Sequence, residues 1–532
     1  MTPGMILIMK VLLIQPPIRD FYLTAKRTIP YGLASIAASL EKNNIEVEIF
    51  DCLSTKKSKI IDLPQEFDYL KKFYSQKDIS PFALFSDFKH FGYSFQHIGN
   101  MARKSQAFVI GISSLFTAYS QEALRTAEVV KKYCPKAKIV MGGHHPTALP
   151  EKVMECKAID FVLRGEGEVS MPLFVKRLHN NEDLVDIPGI VFRKTDKSLH
   201  INAPAIMNDL NSYPQASLHL IKQSFYQRNK KGSTVIVASR GCPLKCSYCS
   251  VGSTKYRQRS VESVFQEIKN AVYKHNVRFI DFEDENLSLN KKWFMNLLTK
   301  IIDNLHEMGI ELRAMNGLFP PSLDEEIIYT MKKAGFNTLN LSLGTTYKDQ
   351  LKKFNRPDVS HDLEKIYKIA DKINLKTVTY IIIGAPGQRA EDSIKDLKFI
   401  SQTTSLVGIS VYYPTPGSSD YELLKKLNIL PDHLSMMRSS ALPLDHETKR
   451  LETVTLLRLG RIINFIKDLK QSNDTGSIQY DIRKEAGKKL LKMFFNDGII
   501  RGMTQDGKVF THKTDLNILV QANLKSDNYF QG

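Results

Sequence analysis

Short apolar runs of four to six residues alternate with amphipathic stretches along the first third of the chain. The runs predict strands at Lys10–Gln15, Val47–Asp51, Phe108–Ser113, Lys138–Gly142 and Phe161–Arg164. Between them, Ile36–Asn43 and Gln121–Tyr133 repeat apolar residues at helical spacing. Strands that alternate with helices indicate βαβ units and a parallel sheet, which we assign to a domain over residues 1–184.

A second alternation begins after residues 185–230, which we interpret as a linker. Its predicted strands are Thr234–Ser239, Phe279–Glu283, Glu311–Ala314, Thr338–Leu343, Thr377–Gly384 and Leu406–Tyr413. Six strands are too few for an eight-stranded barrel, so residues 231–430 predict a partial (β/α)6 barrel. Residues 431–532 form a mainly helical region, with a long helix near Glu447–Lys470 and a hairpin around Asp506-Gly507.

Composition places the chain among globular proteins. It has 532 residues, of which 42% are hydrophobic and 24% charged. The apolar runs are shorter than the ~20 residues that a membrane span needs. The start carries neither the basic segment nor the cleavage site of a signal peptide, so we expect a cytoplasmic protein without a transmembrane segment.

Positive charge is concentrated in one stretch of the chain. The net charge is +18, and residues 211–261 contain no Asp or Glu. The basic residues of that stretch are Lys222, Arg228, Lys230, Lys231, Arg240, Lys245, Lys255, Arg257 and Arg259. One interpretation is a solvated surface. The other is an anionic partner, for which Arg257 and Arg259 are the candidate ligands unless they pair with Glu262 or Glu267.

The cysteines fall into two groups. Cys52, Cys134 and Cys156 are scattered, as small buried hydrophobic residues are. Cys242, Cys246 and Cys249 form C-x3-C-x2-C, which in a reducing compartment indicates metal binding. Three thiolates cannot complete a tetrahedral zinc site alone. They can hold a [4Fe–4S] cluster by three irons and leave the fourth iron open to a small molecule.

The cysteine motif resembles the signature of radical S-adenosylmethionine (SAM) enzymes. Tyr248 precedes the last cysteine, and Ser239-Arg240-Gly241-Cys242-Pro243 flanks the first. The resemblance implies further SAM-binding residues beside Tyr248 on the turns that follow later strands. In Phe282–Leu287 the first candidate is Glu285 and the second is Glu283. The other two candidates are Ser342, in Leu341–Thr346, and Gly384, in Ile383–Gly387.

The first third of the chain resembles the Rossmann-like cobalamin-binding domain that precedes the radical SAM barrel in one large subclass. The matching segments are Gln15-Pro16-Pro17, Ile29–Ala34, Gly111–Ser114, Gly142–Thr147 and Gly165-Glu166-Gly167-Glu168. The implied cobalamin-binding residues are Pro17, Tyr31, Gly32, Ser113, Ser114, Gly142, Gly143, His145 and Glu166. The motif Asp-x-His-x-x-Gly is absent from the sequence, so we expect cobalamin to bind without a histidine on cobalt.

Together the two resemblances imply a cobalamin-dependent radical SAM enzyme with three cofactors: a [4Fe–4S] cluster, SAM and cobalamin. The most direct activity is methylation of an unactivated carbon through a 5′-deoxyadenosyl radical and methylcobalamin. The alternative is ring formation or ring contraction without methyl transfer. A tRNA methylthiotransferase would need three further cysteines near the start, and a cobalamin-binding sensor would leave the SAM residues without a role.

The resemblance also implies partners. We expect a small-molecule, lipid or peptide substrate, with an anionic group suggested by the basic stretch. An electron donor such as flavodoxin or ferredoxin is implied, and nucleic acid is not expected. The sequence assigns no catalytic acid or base.

Overall fold

A computed structural model describes residues 9–21, 29–74, 77–471 and 478–523. The strands of the amino-terminal region are β1 (Lys10–Gln15), β2 (Ile18–Asp20), β3 (Glu46–Asp51), β4 (Ser58–Ile60), β5 (Lys89–Phe91), β6 (Val109–Ser113), β7 (Lys138–Gly142), β8 (Phe161–Leu163), β9 (Ile190–Arg193) and β10 (Leu199–Ile201). Its helices are α1 (Tyr31–Lys42), α2 (Phe95–Ser105), α3 (Ser120–Tyr133), α4 (His144–Ala148), α5 (Pro150–Met154) and α6 (Gly167–Asn180).

The first sheet is the predicted parallel sheet. Its strand order is β10-β9-β8-β7-β6-β1-β3, and the strands from β3 to β8 run parallel. Numbered along the chain, the five parallel strands follow the order 2-1-3-4-5 of a doubly wound fold. The winding reverses between β1 and β6, so a crevice opens at the carboxyl ends of these two strands.

The predicted boundary at residue 184 differs from the structure. Within the range that we interpreted as a linker, β9 and β10 form an antiparallel hairpin, and β9 pairs with β8. The apolar residues of β9 lie opposite Phe161–Leu163, so they extend the core of the first sheet. The sheet therefore ends at Ile201, and only the remainder of 185–230 crosses to the barrel.

The second alternation forms the predicted barrel. Its strands are β11 (Gln227–Arg228), β12 (Lys231–Ile236), β13 (Ser239–Arg240), β14 (Arg257–Gln258), β15 (Val277–Phe282), β16 (Glu311–Arg313), β17 (Thr338–Gly344), β18 (Lys376–Ile383) and β19 (Leu406–Val411). Its helices are α7 (Val261–Lys274), α8 (Lys291–Leu305), α9 (Glu325–Ala334), α10 (Lys348–Lys353), α11 (Ser360–Lys372) and α12 (Ala390–Ser401). Strands β12, β15 and β16 are parallel neighbours, as are β17, β18 and β19. Bridges Leu312–Phe336 and Leu318–Leu341 join the two halves into a six-stranded partial barrel.

The segment between β3 and α2 is an addition that the sequence analysis did not assign. Strands β2, β5 and β4 pair as a small antiparallel sheet. Phe67, Phe73, Phe82 and Phe88 are buried in one continuous core with the barrel. Aromatic burial on this scale stabilises the packing of the segment against the barrel. The amino-terminal region therefore shares its core with the barrel.

The carboxyl-terminal region is helical, as predicted, and covers an edge of the barrel. Its elements are α13 (Ser419–Lys426), α14 (Arg450–Gln471), α15 (Ile478–Asp497), the hairpin β20 (Arg501–Met503) and β21 (Val509–Thr511), and α16 (Leu516–Ala522). Helix α14 lies along β19, where Asn464 donates to the carbonyl of Val407 and accepts from its amide. Among the described helices none is long and apolar enough to cross a membrane.

Gly165 lies in close contact with the backbone where the first sheet meets the following chain. Its φ is +82°, and an added Cβ would lie 2.3 Å from the carbonyl oxygen of Ala205. We expect Gly165→Ala to destabilise the protein by about 2–4 kcal/mol, from backbone strain and overlap together. Gly309 is the matched control, since its φ is +56° with no atom within 4 Å of an added Cβ. Gly309→Ala should cost about 1 kcal/mol. Thermal unfolding midpoints measure both, and equal decreases would contradict the analysis.

Candidate functional site

The three clustered cysteines lie on one loop of the barrel. Strands β13 and β14 pair antiparallel and close the base of residues 241–256, the cluster loop. Gly241 has φ +82°, and an added Cβ would lie 2.5 Å from the Lys255 carbonyl oxygen, so the loop requires glycine there. Burial raises the pKa of the Cys242 and Cys249 thiols, and the other cysteines and Glu285 raise it further.

The donors of the cluster loop fit an iron–sulfur cluster. All three cysteines are free thiols, and Cys246 is buried. Within the described ranges, no group of three His, Cys, Asp or Glu converges closely enough to hold one metal ion. In a [4Fe–4S] cluster each thiolate binds its own iron, so the sulfur atoms need not converge on a point.

Arg356 connects the cluster loop to the fourth strand of the barrel. Its Nη2 donates to the carbonyl oxygen of Ser342 at 2.7 Å and to the Ser342 hydroxyl at 2.9 Å. Its Nη1 lies 3.3 Å from Tyr248 Oη and 4.0 Å from Cys246 Sγ. Burial raises the pKa of Tyr248, whose ring packs edge-on against Phe354. The structure thus brings together two predicted SAM-binding residues through an arginine that sequence reasoning missed.

The acidic turn after β15 separates its three carboxylates. Glu283 is exposed, whereas Asp284 is buried and accepts from the Ser239 hydroxyl and the Ala238 amide. Glu285 is half-buried and faces the cluster loop, where its charge acts on Cys242 and Cys249. Burial raises the pKa of Asp284 to about 6 and that of Glu285 to about 7. The placement favours Glu285 over Glu283 and gives Asp284 a structural role.

Two further polar groups and a glycine turn complete the barrel side of the site. Asn286 Oδ1 and Asn340 Oδ1 are buried and have no hydrogen-bond partner in the described part of the chain. Unsatisfied buried polar atoms are costly, so they indicate room for a polar ligand. Gly384 follows β18 with φ +71°, and Thr453 of α14 lies beside it. The predicted SAM residue Gly384 therefore lies where α14 meets the barrel.

A pocket occupies the crevice at the winding reversal of the first sheet. Residues at or after the carboxyl ends of β1, β3 and β6 line it: Gln15, Pro16, Pro17, Ile18, Leu53, Ser113, Ser114, Leu115, Phe116 and Tyr119. The Ser114 hydroxyl is buried and has no hydrogen-bond partner among the described residues. Leu115 and Phe116 are 40% and 44% exposed, so the rim is apolar. A crevice with an apolar rim and a free hydroxyl fits part of a large amphipathic ring such as cobalamin.

Residues 142–148, which follow β7, lie between this crevice and the barrel and are called the crevice floor below. Gly143 has φ +117°, and an added Cβ would lie 2.6 Å from the Ser114 carbonyl oxygen. The same carbonyl accepts from the His145 amide, and the Gly142 carbonyl accepts from the Ser114 amide. His145 is buried beside Thr117, and burial lowers its pKa to about 4. The predicted Gly142, Gly143 and His145 therefore shape the crevice from below.

Glu166, one of the predicted cobalamin-binding residues, forms an ion pair between the first domain and the barrel. Its Oε2 and Oε1 accept from the two Nη atoms of Arg257 at 2.9 Å each, and it also accepts from the Met207 amide. Arg257 donates further to the Met207 carbonyl oxygen at 2.6 Å. Arg240 pairs with Glu168 at 2.5 Å and with Glu166 at 3.4 Å. Glu166, Glu168, Arg240 and Arg257, the interdomain ion cluster, join the first domain to the barrel.

Tyr31 and Arg259 meet at a second contact between the same domains. Tyr31 Oη donates to Glu267 Oε1 at 2.9 Å, and Arg259 pairs with Glu267 Oε2. Gly32 is the second residue of α1 and has no atom within 4 Å of an added Cβ. Arg257 and Arg259 are thus neutralised by carboxylates of the chain itself. These contacts give no support to an anionic substrate group at the two arginines. Arg259 pairs with Glu267, which the sequence analysis named as an alternative partner, and Arg257 pairs with Glu166, 91 residues earlier in the chain.

The scattered cysteines pack as predicted. Cys52 is buried in the core between the first sheet and its helices, and Cys134 and Cys156 contact the same core. They line neither the crevice pocket nor the cluster loop.

Comparison with known proteins identifies both halves of the site. The family model of the radical SAM superfamily matches residues 236–400, and that of the B12-binding domain matches residues 87–175. The chain carries a B12-binding domain and a radical SAM domain. The resemblance drawn from the cysteine motif and the glycine-rich segments is confirmed, and the protein is a radical SAM enzyme. The three expected cofactors, a [4Fe–4S] cluster, SAM and cobalamin, are those of these two domains.

Relatives extend the similarity over most of the chain. An uncharacterised methyltransferase of Pyrococcus horikoshii is 24% identical over 433 residues, 80% of this chain and 84% of that protein. An anaerobic magnesium-protoporphyrin IX monomethyl ester cyclase of Synechocystis is 26% identical over 298 residues, 55% of this chain and 59% of that one. The radical SAM methyltransferase TsrM of Kitasatospora setae, solved with cobalamin and a [4Fe-4S] cluster, superposes with TM-score 0.62 at 15% identity over 91% of this chain and 99% of that one. That similarity shows the same fold.

Substitution of Glu168 tests the contribution of the interdomain ion cluster to stability. Its side chain is 6% exposed and that of Arg240 is 26% exposed. We expect Glu168→Gln to cost about 1–3 kcal/mol, because it leaves Arg240 partly buried with a weaker partner. Glu155→Gln is the control, since Glu155 pairs with Lys152 on an exposed helix face and should cost at most about 0.5 kcal/mol. Thermal unfolding measures both variants. A Glu168→Gln midpoint as close to wild type as that of Glu155→Gln would contradict the assignment.

Proposed function

We propose that the protein methylates an unactivated carbon of a small-molecule substrate bound between its two domains. The contact of the crevice floor with the cluster loop carries this proposal. Burial lowers the pKa of His144 on the crevice floor, and the charge of Arg240, two residues before Cys242, contributes to the same shift. An added Cβ on Gly417, after the sixth barrel strand, would contact both Ser250 and Ala148 at 3.7 and 3.9 Å. A substrate between the domains would therefore face both cofactors.

The residues have separate tasks in this proposal. Cys242, Cys246 and Cys249 hold the cluster, and Tyr248, Ser342, Glu285 and Gly384 bind SAM. Pro17, Ser113, Ser114, Gly142, Gly143 and His145 receive cobalamin, while Tyr31, Gly32 and Glu166 lie on the barrel side of that domain. When bound, the cluster and SAM supply radical chemistry, and cobalamin supplies a methyl group. The protein positions the reacting groups and excludes water from between the domains.

An electron donor such as flavodoxin or ferredoxin belongs to the same proposal, and so does a cytoplasmic location. The substrate of the proposal is a small molecule. Leu115 and Phe116, which form the apolar rim of the crevice, would favour a substrate with an apolar surface. The basic stretch gives no support to an anionic group at this place, because Arg240, Arg257 and Arg259 are paired internally.

Ring formation is the second candidate function, and the similarity to the Synechocystis cyclase supports it. Incubation of the reconstituted enzyme with SAM that carries a CD3 group distinguishes the two. Methyl transfer moves the label into product, as detected by mass spectrometry, whereas ring closure leaves the product unlabelled. Candidate substrates come from the products of neighbouring genes. A product formed without label would overturn the methyltransferase proposal.

The cluster ligands can be tested without a substrate. A variant with Cys242, Cys246 and Cys249 all changed to Ala should take up no iron under anaerobic reconstitution and show no four-iron absorption near 400 nm, because the thiolates are the protein ligands. A variant with Cys52, Cys134 and Cys156 changed to Ala is the control and should reconstitute like wild type. Wild-type iron content in the first variant would disprove the ligand assignment.

Cobalamin binding has its own signature. Reconstituted protein should retain cobalamin, and its Co(II) EPR spectrum should lack nitrogen superhyperfine splitting. The structural reason is that His145, on the crevice floor, is buried and lies 3.2 Å from the Thr117 hydroxyl. His145→Gln should therefore leave the spectrum unchanged. Nitrogen splitting in wild type that disappears in this variant would show that the histidine is a cobalt ligand.

A further inference from the structure

Three arginines gather between α14, α15 and the segment that follows residue 77, outside the site described above. Arg458 and Arg461 lie three positions apart on α14, so their side chains share one face of the helix. Arg458 Nη1 donates to the Phe82 carbonyl oxygen at 2.8 Å. Arg483 of α15 reaches the same segment, with Nη2 3.5 Å from the Ser80 carbonyl oxygen.

Arg458 is the buried member of this group. It is 1% exposed, and its Nη2 donates to the Phe73 carbonyl oxygen at 3.2 Å. Its Nε is buried with no hydrogen-bond partner in the described part of the chain. The carbonyl groups satisfy two donors, but they provide no opposite charge. Burial, together with the charge of Arg461, lowers the pKa of Arg458 to about 10.

Asp78 is the carboxylate whose charge acts on Arg458 and Arg461. It is already occupied by other donors. Its side chain accepts from the amides of Ser80 and Met503 at 2.8 and 3.2 Å, and it pairs with His512 at 2.7 Å. One carboxylate shared in this way cannot neutralise three guanidinium groups.

Arg461 lies three positions after Arg458 on α14 and is half-buried. Across the described ranges its guanidinium makes neither a hydrogen bond nor an ion pair. Burial lowers its pKa to about 10, and the next largest cause is the positive charge of Arg483. Its partial exposure leaves a path from solvent to the group, since Arg483 itself is exposed.

Like charges that are removed from water without a counter-ion are unfavourable, because they lose hydration and repel one another. Guanidinium groups bind phosphate oxygens with paired hydrogen bonds, and a doubly charged anion would match the surplus charge here. We propose that Arg458, Arg461 and Arg483 form a binding site for a phosphate group, either free or carried by a larger molecule. The site is independent of the methyltransferase proposal, since none of its residues contacts the crevice pocket or the cluster loop.

The experiment compares thermal unfolding of the full-length protein in phosphate-free buffer with and without sodium phosphate, at matched ionic strength in chloride. Phosphate at about 10 mM should raise the wild-type midpoint by about 2 °C, because it binds only the folded state. Arg461→Gln should lose this increase. Without phosphate, the same variant should melt at or above the wild-type temperature, because a repelling charge has been removed. A purely structural arginine would instead lower the midpoint in both buffers.

Two further variants complete the test. Arg461→Lys keeps the charge and should retain part of the phosphate effect. Arg125→Gln, at an exposed pair with Glu128 on α3, is the control and should respond like wild type. Replacing phosphate by glycerol 3-phosphate at equal concentration distinguishes the sources: a larger increase indicates a phosphorylated molecule, and an equal one indicates free phosphate. No increase in wild type, or the same increase in Arg461→Gln, would overturn the proposal.

Discussion

The interdomain ion cluster is the contact on which the geometry of the whole site depends. Glu166 precedes α6 of the first domain and Glu168 lies in its first turn. Arg240 and Arg257 lie opposite each other on β13 and β14 at the base of the cluster loop. Charges buried this deeply are tolerated only when each has its partner and further hydrogen bonds. This contact therefore fixes the spacing between the cluster loop and the crevice, because a shift on either side would leave a buried charge without its partner.

This constraint explains why the glycines around the acids cannot be replaced freely. Gly165 approaches the backbone of Ala205 and sets the direction in which Glu166 leaves the sheet. On the other side, Gly241 approaches Lys255 and sets the direction of the cysteine loop directly after Arg240. Each turn brings a charged residue to the interface at an angle that only a positive φ allows. The turns at Gly165 and Gly241 therefore together place the charged residues of the interdomain ion cluster.

Much of this molecule was predictable from its sequence because the determining signals are local. The period of apolar residues located the parallel strands, and cysteine spacing located the cluster loop. The missed features all depend on contacts between distant residues. Arg259 and Glu267 form a pair across the first turns of α7, but Arg257 finds its acid 91 residues earlier, at Glu166. Likewise, the aromatic residues around Phe67 and Phe82 show no helical or strand periodicity in the sequence. They pack into the barrel core from a segment without long helices or strands.

The excess of positive charge also acquires a different meaning in three dimensions. In the sequence, the acid-free stretch around the cysteines is the obvious cationic feature, yet carboxylates from other segments neutralise three of its arginines. In the carboxyl-terminal region, by contrast, Arg458 and Arg461 are flanked by acids along the chain, and their surplus becomes visible only when α14 packs against the segment around Ser80. The charge density along the sequence therefore overestimates the unpaired positive charge around the cysteines and underestimates it around Arg458 and Arg461. The electrostatic cost is set by which charges the fold buries without a partner.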